Sequence, residues 1–155
     1  MNKTILISGY GSIGRRHVNI LSRLVKKKNI TILTNQKLSN FRTIKNLQSL
    51  NKINPDYIVI CNPTSSHINK IKYIEKNCNN KLVLVEKPLF SKPDKINVKK
   101  NKYFVGYNLR FHPIINFLKT KIRSKKIWSV NIFCGSYLPN WRNNVDYRKS
   151  SSAKK

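Results

Sequence analysis

The sequence predicts an α/β fold: a parallel sheet with helices on both faces, followed by the first strand of a separate, incomplete α+β unit. Three observations carry this expectation. Short apolar runs alternate with amphipathic helical stretches through residue 122, the pattern of a sheet whose strands are joined by helical crossovers. A glycine cluster closes the first apolar run, and after Lys126 the apolar period changes to two.

Residues 3–8 (Lys-Thr-Ile-Leu-Ile-Ser) are an apolar run that stops at glycine, as a buried parallel strand does. From Ser12 to about Lys27 a helical stripe runs through Ile13, His17, Ile20, Leu21 and Leu24. It ends in Lys26, Lys27 and Lys28, where the helix dipole favours cations. Residues 29–34 form the second strand, residues 43–50 a weaker helical stretch closed by Pro55, and residues 56–61 the third strand. Residues 64–77 read as a helix capped by Thr64 or Ser65 and buried through Ile68, Ile71 and Ile74. Residues 81–85 and 103–107 are two further strands, separated by a lysine-rich stretch at 91–100 that suits helix or loop. Pro113 then opens a helix with Ile114, Ile115, Leu118 and Ile122 on one face. In residues 127–135, Trp128, Val130, Ile132 and Cys134 alternate as in a half-buried strand. This divides the chain into a first domain at residues 1–124 and the start of a second at 125–155, with no internal repeat.

The chain of 155 residues carries 32 Lys and Arg against 5 acids, a formal charge of +27. Such a balance raises nucleic acid or an anionic membrane as partners. The excess is mostly lysine, 24 against 8 arginines, and is scattered along the chain rather than gathered in a stripe. Lys, Asn and Ile make up 64 residues, all encoded by A/T-rich codons, so base composition explains the lysines without a partner. No nucleic-acid motif accompanies the charge, and no specific nucleic-acid partner is expected. No apolar run approaches the ~20 residues of a membrane span, and no secretory signal is recognisable at the start, so no membrane partner and a cytoplasmic location are expected. Three widely spaced cysteines suggest neither disulfides nor a metal site, and Cys61 and Cys134, within apolar runs, are expected to act as small buried hydrophobes.

Gly9-Tyr10-Gly11-Ser12-Ile13-Gly14 follows a strand and opens a helix within a strand–helix–strand unit, the context in which G-x-G-x-x-G signals a Rossmann dinucleotide site. Gly9 permits the tight turn, Gly11 lets the backbone approach a pyrophosphate, and Gly14 lets helix and strand pack closely. The helix-start N–H groups face the phosphates, with Arg15 and Arg16 nearby. The bland alternative is a glycine-rich turn that binds nothing. The carboxylate expected about 20 residues on, to hold the ribose hydroxyls of NAD, is missing. There the sequence reads Thr34-Asn35-Gln36-Lys37: Asn35 suits a ribose and Lys37 a 2′-phosphate, so NAD and NADP both remain open.

Three further strings follow: Asp-Tyr-Ile-Val-Ile-Cys-Asn-Pro-Thr-Ser-Ser-His at 56–67, Val-Glu-Lys-Pro-Leu at 85–89, and Val-Gly-Tyr-Asn-Leu-Arg-Phe-His-Pro at 105–113. In this order behind the glycine loop, the chain resembles the Gfo/Idh/MocA family, the glucose–fructose oxidoreductase and inositol dehydrogenase group. The likeness continues in Gly-Ser-Tyr-Leu-Pro-Asn-Trp-Arg at 135–142 and Asp-Tyr-Arg at 146–148, which resemble the start of the family's second domain. It implies an NAD(P)-dependent oxidoreductase acting on a ring hydroxyl or ketone of a sugar, nucleotide sugar or polyol, with a full-length form that is a homo-oligomer. It implies that Asn62, Pro63 and Thr64 line the nicotinamide side of the cleft and that His67 sits in the next helix's first turn. Glu86 is implied to contact the ribose or brace the loop, and Asn108 and Arg110 to lie near the nicotinamide. Lys87 is implied as the catalytic residue, where a lysine stabilises developing negative charge or passes a proton. His67 as a plain helix cap, and Lys87 as one more solvated lysine, are the alternatives. His17 and His112 read as structural.

The sequence also departs from the family. Members run to roughly twice this length and carry an Asp-x-x-x-His pair in the second domain, whose histidine takes the hydroxyl proton. Nothing after Asp146 supplies it, and where Ser-Tyr-Ser-Ala is expected the chain reads Ser-Ser-Ser-Ala, with Ser151 in place of Tyr. The expectation is therefore a truncated chain, inactive by itself. A non-catalytic dinucleotide-binding module is the second reading and a basic nucleic-acid-binding protein the remote third.

Overall fold

The computed structural model describes residues 3–135 together with residues 137, 146 and 148. Ser151, and most of the strings at 135–142 and 146–148 that extend the family likeness, lie outside the described residues. The chain falls into two compact units, Met1–Arg110 and Phe111–Lys155.

The first unit is a six-stranded sheet, β1 (Ile5–Ser8), β2 (Ile30–Leu33), β3 (Arg42–Ile44), β4 (Tyr57–Ile60), β5 (Leu82–Val85) and β6 (Lys102–Val105). The strands lie in the order β3-β2-β1-β4-β5-β6 and every pairing is parallel. Chain direction across the sheet reverses between β1 and β4, so a crevice opens at their carboxyl ends, where open α/β sheets bind ligands. The helices are α1 (Ser12–Leu21), the short α2 (Leu50–Ile53) and α3 (His67–Asn77), with α4 (Pro113–Ile122) in the second unit.

Alternate residues of the apolar strands enter two different cores, which is why these runs show no polar face. Leu6, Ile58, Ile60, Val83 and Val85 pack with Ile71 and Ile74 of α3 and with Leu47 and Leu50. Ile5, Ile7, Ile30, Ile32 and Val59 pack on the other face with Val18 of α1. Three stretches differ from expectation, the first being α1, which stops at Leu21 rather than near Lys27, while Lys27–Asn29 form a separate 3₁₀ turn. Residues 43–50 do not form one helix: Thr43 and Ile44 complete β3, whose Ile44 carbonyl accepts from Thr34 N–H at 3.0 Å, and only a 3₁₀ turn and α2 follow. Edge pairing with β2 outweighs the weak helical pattern, and Asn54 in the left-handed region (φ 45°) stops α2 before Pro55. Residues 127–135 form no strand, because alternation defines two faces but a strand needs a ladder partner, and none is present among the described residues. Cys134 is accordingly exposed, whereas Cys61 and Cys78 are buried and reduced.

The lysine-rich 91–100 stretch has no regular element; a carboxylate holds its end. Glu75 of α3 accepts from the N–H groups of Lys99 and Lys100 at 2.6 Å each, from Asn101 Nδ2 at 2.9 Å and from the Tyr103 hydroxyl at 3.1 Å. Desolvation pushes its pKa up, but these donors outweigh it and hold the carboxyl below its ordinary value. A second carboxylate ties the sheet at its amino end. Asp56 accepts from the Thr4 N–H at 2.8 Å and the Thr4 hydroxyl at 3.0 Å, with Lys3 Nζ at 3.2 Å.

The Thr4 backbone bond and then the Lys3 bond lower the Asp56 pKa from 3.8 to about 2. The group therefore stabilises the fold fully above its unfolded pKa and loses that contribution as pH falls towards 2. Its exposure screens the effect, to about 1 kcal/mol. In urea unfolding between pH 5 and 2, Asp56→Asn should flatten the stability profile by about that amount; an unchanged slope would show the clasp to be inert.

Candidate functional site

The site forms along the carboxyl ends of the strands. Gly9, after β1, has φ +100°, and a Cβ there would stand 2.9 Å from the Cys61 carbonyl carbon and oxygen, so only glycine fits between β1 and β4. Gly14, in the first turns of α1, is buried, and a Cβ on it would collide with the Gly9 carbonyl oxygen. These two glycines let α1 start directly above the sheet. Gly11 differs: a Cβ there meets nothing within 4 Å. The one open glycine thus lies at the N-cap of α1, where the unsatisfied N–H groups of the helix point outward.

Around this opening the strand ends are cross-tied. Gly9 N–H donates to the Leu33 carbonyl of β2 at 3.0 Å, and Cys61 N–H donates to the Ser8 carbonyl at 2.7 Å. Ser8 Oγ donates to Asn62 Oδ1 at 2.6 Å, fixing the amide expected at the nicotinamide side. Pro63 is exposed and starts a 3₁₀ turn, Thr64–Ser66, in which Thr64 is half-buried. His67 is buried (1 % exposed). Its Nε2 donates to the Asn62 carbonyl at 2.8 Å, while Nδ1 lies 3.2 Å from both the Pro88 and Leu89 carbonyls. It acts from beneath, joining the loop after β4 to the loop after β5.

Glu86 and Lys87 follow β5, and the Lys87–Pro88 peptide is cis. Glu86 Oε1 pairs with Nε2 of His17 on α1 at 2.7 Å, both side chains being mostly buried (16 % and 20 % exposed). Its other oxygen accepts from Lys87 N–H at 3.3 Å. A Cβ at Gly106, after β6, would come within 3.4 Å of the same carboxylate, so glycine there makes room for it. Burial and then the charge of Glu86 push the Cys61 thiol up to about 12, leaving it unreactive. Lys87 itself is exposed. Asn108 and Arg110 lie beyond β6 in the 3₁₀ turn Asn108–Phe111.

At the other end of the crevice, the Arg15 guanidinium lies 5.3 Å from the Tyr10 ring centroid and donates to Gln36 Oε1 at 3.4 Å. Gln36 Nε2 donates in turn to the Tyr10 carbonyl at 3.4 Å. Asn35, expected at the ribose, is exposed beside this group. The sequence reading missed Gln36 and Gly106 and treated His17 as only structural. A stripe position on α1 opposite an isolated carboxylate was the available signal for His17.

Residues 3–101 match the family model described as oxidoreductase family, NAD-binding Rossmann fold, Gfo/Idh/MocA. The chain belongs to the Gfo/Idh/MocA family. Solved structures share its fold at low identity. The WlbA (WbpB) dehydrogenase from Thermus thermophilus, in complex with NAD and α-ketoglutarate, is 20 % identical, with a TM-score of 0.63 over 81 % of this chain and 48 % of that one. Scyllo-inositol dehydrogenase from Lactobacillus casei is 18 % identical, with a TM-score of 0.59 over 83 % of this chain and 44 % of its own. UDP-N-acetylglucosamine 3-dehydrogenase GnnA from Acidithiobacillus ferrooxidans is 17 % identical, at 0.56 over 76 % and 42 %. The chain thus spans less than half the length of these dehydrogenases. No curated protein sequence matches it. Among the described residues of this Gfo/Idh/MocA chain, no helix is long and apolar enough to cross a membrane, and no group of three His, Cys, Asp or Glu side chains is placed to hold a metal.

The geometry separates the roles of residues by experiment. Gly14→Ala should destabilise the fold by about 1–3 kcal/mol, because the new methyl overlaps a backbone carbonyl, whereas Gly11→Ala should change stability little. His17→Ala should cost about 1–3 kcal/mol by leaving the mostly buried Glu86 carboxylate without its partner. Chemical denaturation of the three variants checks both; equal losses at Gly11 and Gly14 would contradict the packing described.

Proposed function

We propose that this chain is the cofactor-binding part of an NAD(P)-dependent oxidoreductase acting on a sugar, nucleotide sugar or polyol. The observation that carries the proposal is the contrast among the glycines: Gly9 and Gly14 are closed by packing, and the space over Gly11 is open at the helix N-terminus. An added side chain at Gly11 would fill the volume a pyrophosphate needs, so the residues present fit a dinucleotide. Gly9, Tyr10, Gly11, Ser12, Ile13 and Gly14 would hold the phosphates. Asn62, Pro63 and Thr64 would line the nicotinamide side, with Asn108 and Arg110 also near the nicotinamide. Bound nicotinamide supplies a hydride acceptor or donor.

Lys87 is the group we assign to the reacting oxygen. It is exposed at the carboxyl end of a central strand, next to a Glu86 held by His17. There an ammonium stabilises negative charge developing on the substrate oxygen, or relays its proton. His67 supports the site from below, by fixing the loops that carry Asn62 and Pro88. The walls that orient a substrate and exclude water, and the principal general base, are proposed to come from residues beyond those described. The dehydrogenases of similar fold are matched over only 42–48 % of their own length, and such walls are what hold reacting groups in a productive geometry.

Two outcomes are expected. Titration calorimetry should show NAD(P) binding to the 155-residue chain and its loss in folded Gly11→Val; unchanged affinity in that variant would sink the dinucleotide assignment. The chain alone should give no measurable turnover on a panel of sugars, nucleotide sugars and inositols. Turnover abolished by Lys87→Ala would instead show that the 155-residue chain is a sufficient catalyst.

A further inference from the structure

Resting on the dinucleotide reading above, we infer that the site prefers NADP(H) to NAD(H), with Arg15 and Lys37 holding the 2′-phosphate at the end of β2. In a Rossmann site the adenosine ribose lies at the carboxyl end of the second strand. A carboxylate there accepts from the hydroxyls of NAD and repels the phosphate of NADP. The first unit has four acids, and none of them is available at that place. Asp56 is bonded to Thr4 at the amino end of β4. Glu75 is on α3, anchoring residues 99–103, and Glu86 is paired with His17 after β5. Asp94 lies between β5 and β6, at the opposite end of the sheet from β2.

What stands at the end of β2 is cationic and preset. Arg15 leaves the first turn of α1, lies over the Tyr10 ring and is held by the Gln36 side-chain oxygen, while Gln36 is braced on the Tyr10 carbonyl. The Gln36 N–H donates to Thr34 Oγ at 3.1 Å, which shapes the turn out of β2. Gln36 thereby ties Arg15 to that turn, and Lys37 follows, exposed. A guanidinium already ordered by a ring face and an amide loses less freedom on meeting a phosphate, and it presents paired donors to two phosphate oxygens. The amide and hydroxyl side chains nearby are weaker partners for a ribose diol than a carboxylate.

The test is calorimetry of the intact chain with NADP+ and with NAD+. NADP+ should bind about ten- to a hundredfold more tightly, the difference that hydrogen bonds to a charged group confer. Arg15→Gln should weaken NADP+ more than NAD+ and so remove most of that difference, and Asn35→Asp should weaken NADP+ and strengthen NAD+. Lys28→Gln, at the amino end of β2, controls for the general positive charge and should leave the preference intact. Equal affinities in the unmutated chain, tighter NAD+, or loss of preference in Lys28→Gln matching that in Arg15→Gln would each overturn the inference. If neither dinucleotide binds, the dinucleotide reading fails along with it, whereas tight NAD+ binding alone would overturn only the preference.

Discussion

The close approach of α1 to the turn after β1 is the constraint on which the rest of this structure depends. Gly14 sits against the Gly9 carbonyl, and Gly9 sits against the backbone after β4, with no room for a Cβ at either place. Because the helix starts so close to the sheet, its free N–H groups open at the point where strand order reverses. The same placement sends Arg15 towards β2 on one side and His17 towards β5 on the other. Arg15 and His17 make the side-chain ties from α1, and His67 of α3 joins the loops after β4 and β5.

The second organising feature is the use of very few carboxylates. In a chain with a formal charge of +27, an acid is surrounded by possible cationic partners, yet lysines contribute little to the clasps observed. Glu75 is held by two backbone N–H groups, an amide and a phenol. Asp56 is held by the backbone and hydroxyl of one threonine, with Lys3 at its exposed side. Glu86 is held by a histidine in a partly buried setting. Directional donors of fixed geometry do this work better than flexible ammonium groups, whose exposed ion pairs are worth little. The scattered lysines are consistent with coding bias.

Site residues divide by depth. Gly9, Gly14, His67 and the His17–Glu86 pair are buried or nearly so and set backbone positions. Gly11, Pro63 and Lys87 are open to solvent and free to meet ligands. This layered arrangement, a packed understructure under a small exposed set, gives a binding site its precision.

The sequence by itself determined the strand–helix alternation, the parallel sheet and the place of the glycine turn, because a buried parallel strand needs an unbroken apolar run and a turn packed this closely under a helix needs glycine. Gly9, Gly11 and Gly14 could be given distinct duties from spacing alone; the structure shows Gly9 and Gly14 closed by packing and the space over Gly11 open. Only the tertiary structure decided matters that depend on neighbours distant in sequence. Residues 42–44 became strand rather than helix because β2 offered an edge, and residues 127–135 gained no ladder because none was offered among the described residues. His17 and Glu86 are 69 residues apart in sequence, and Arg15 and Gln36 are 21 apart. No local period records such pairs, since they exist only once the crossovers have brought the strand ends side by side.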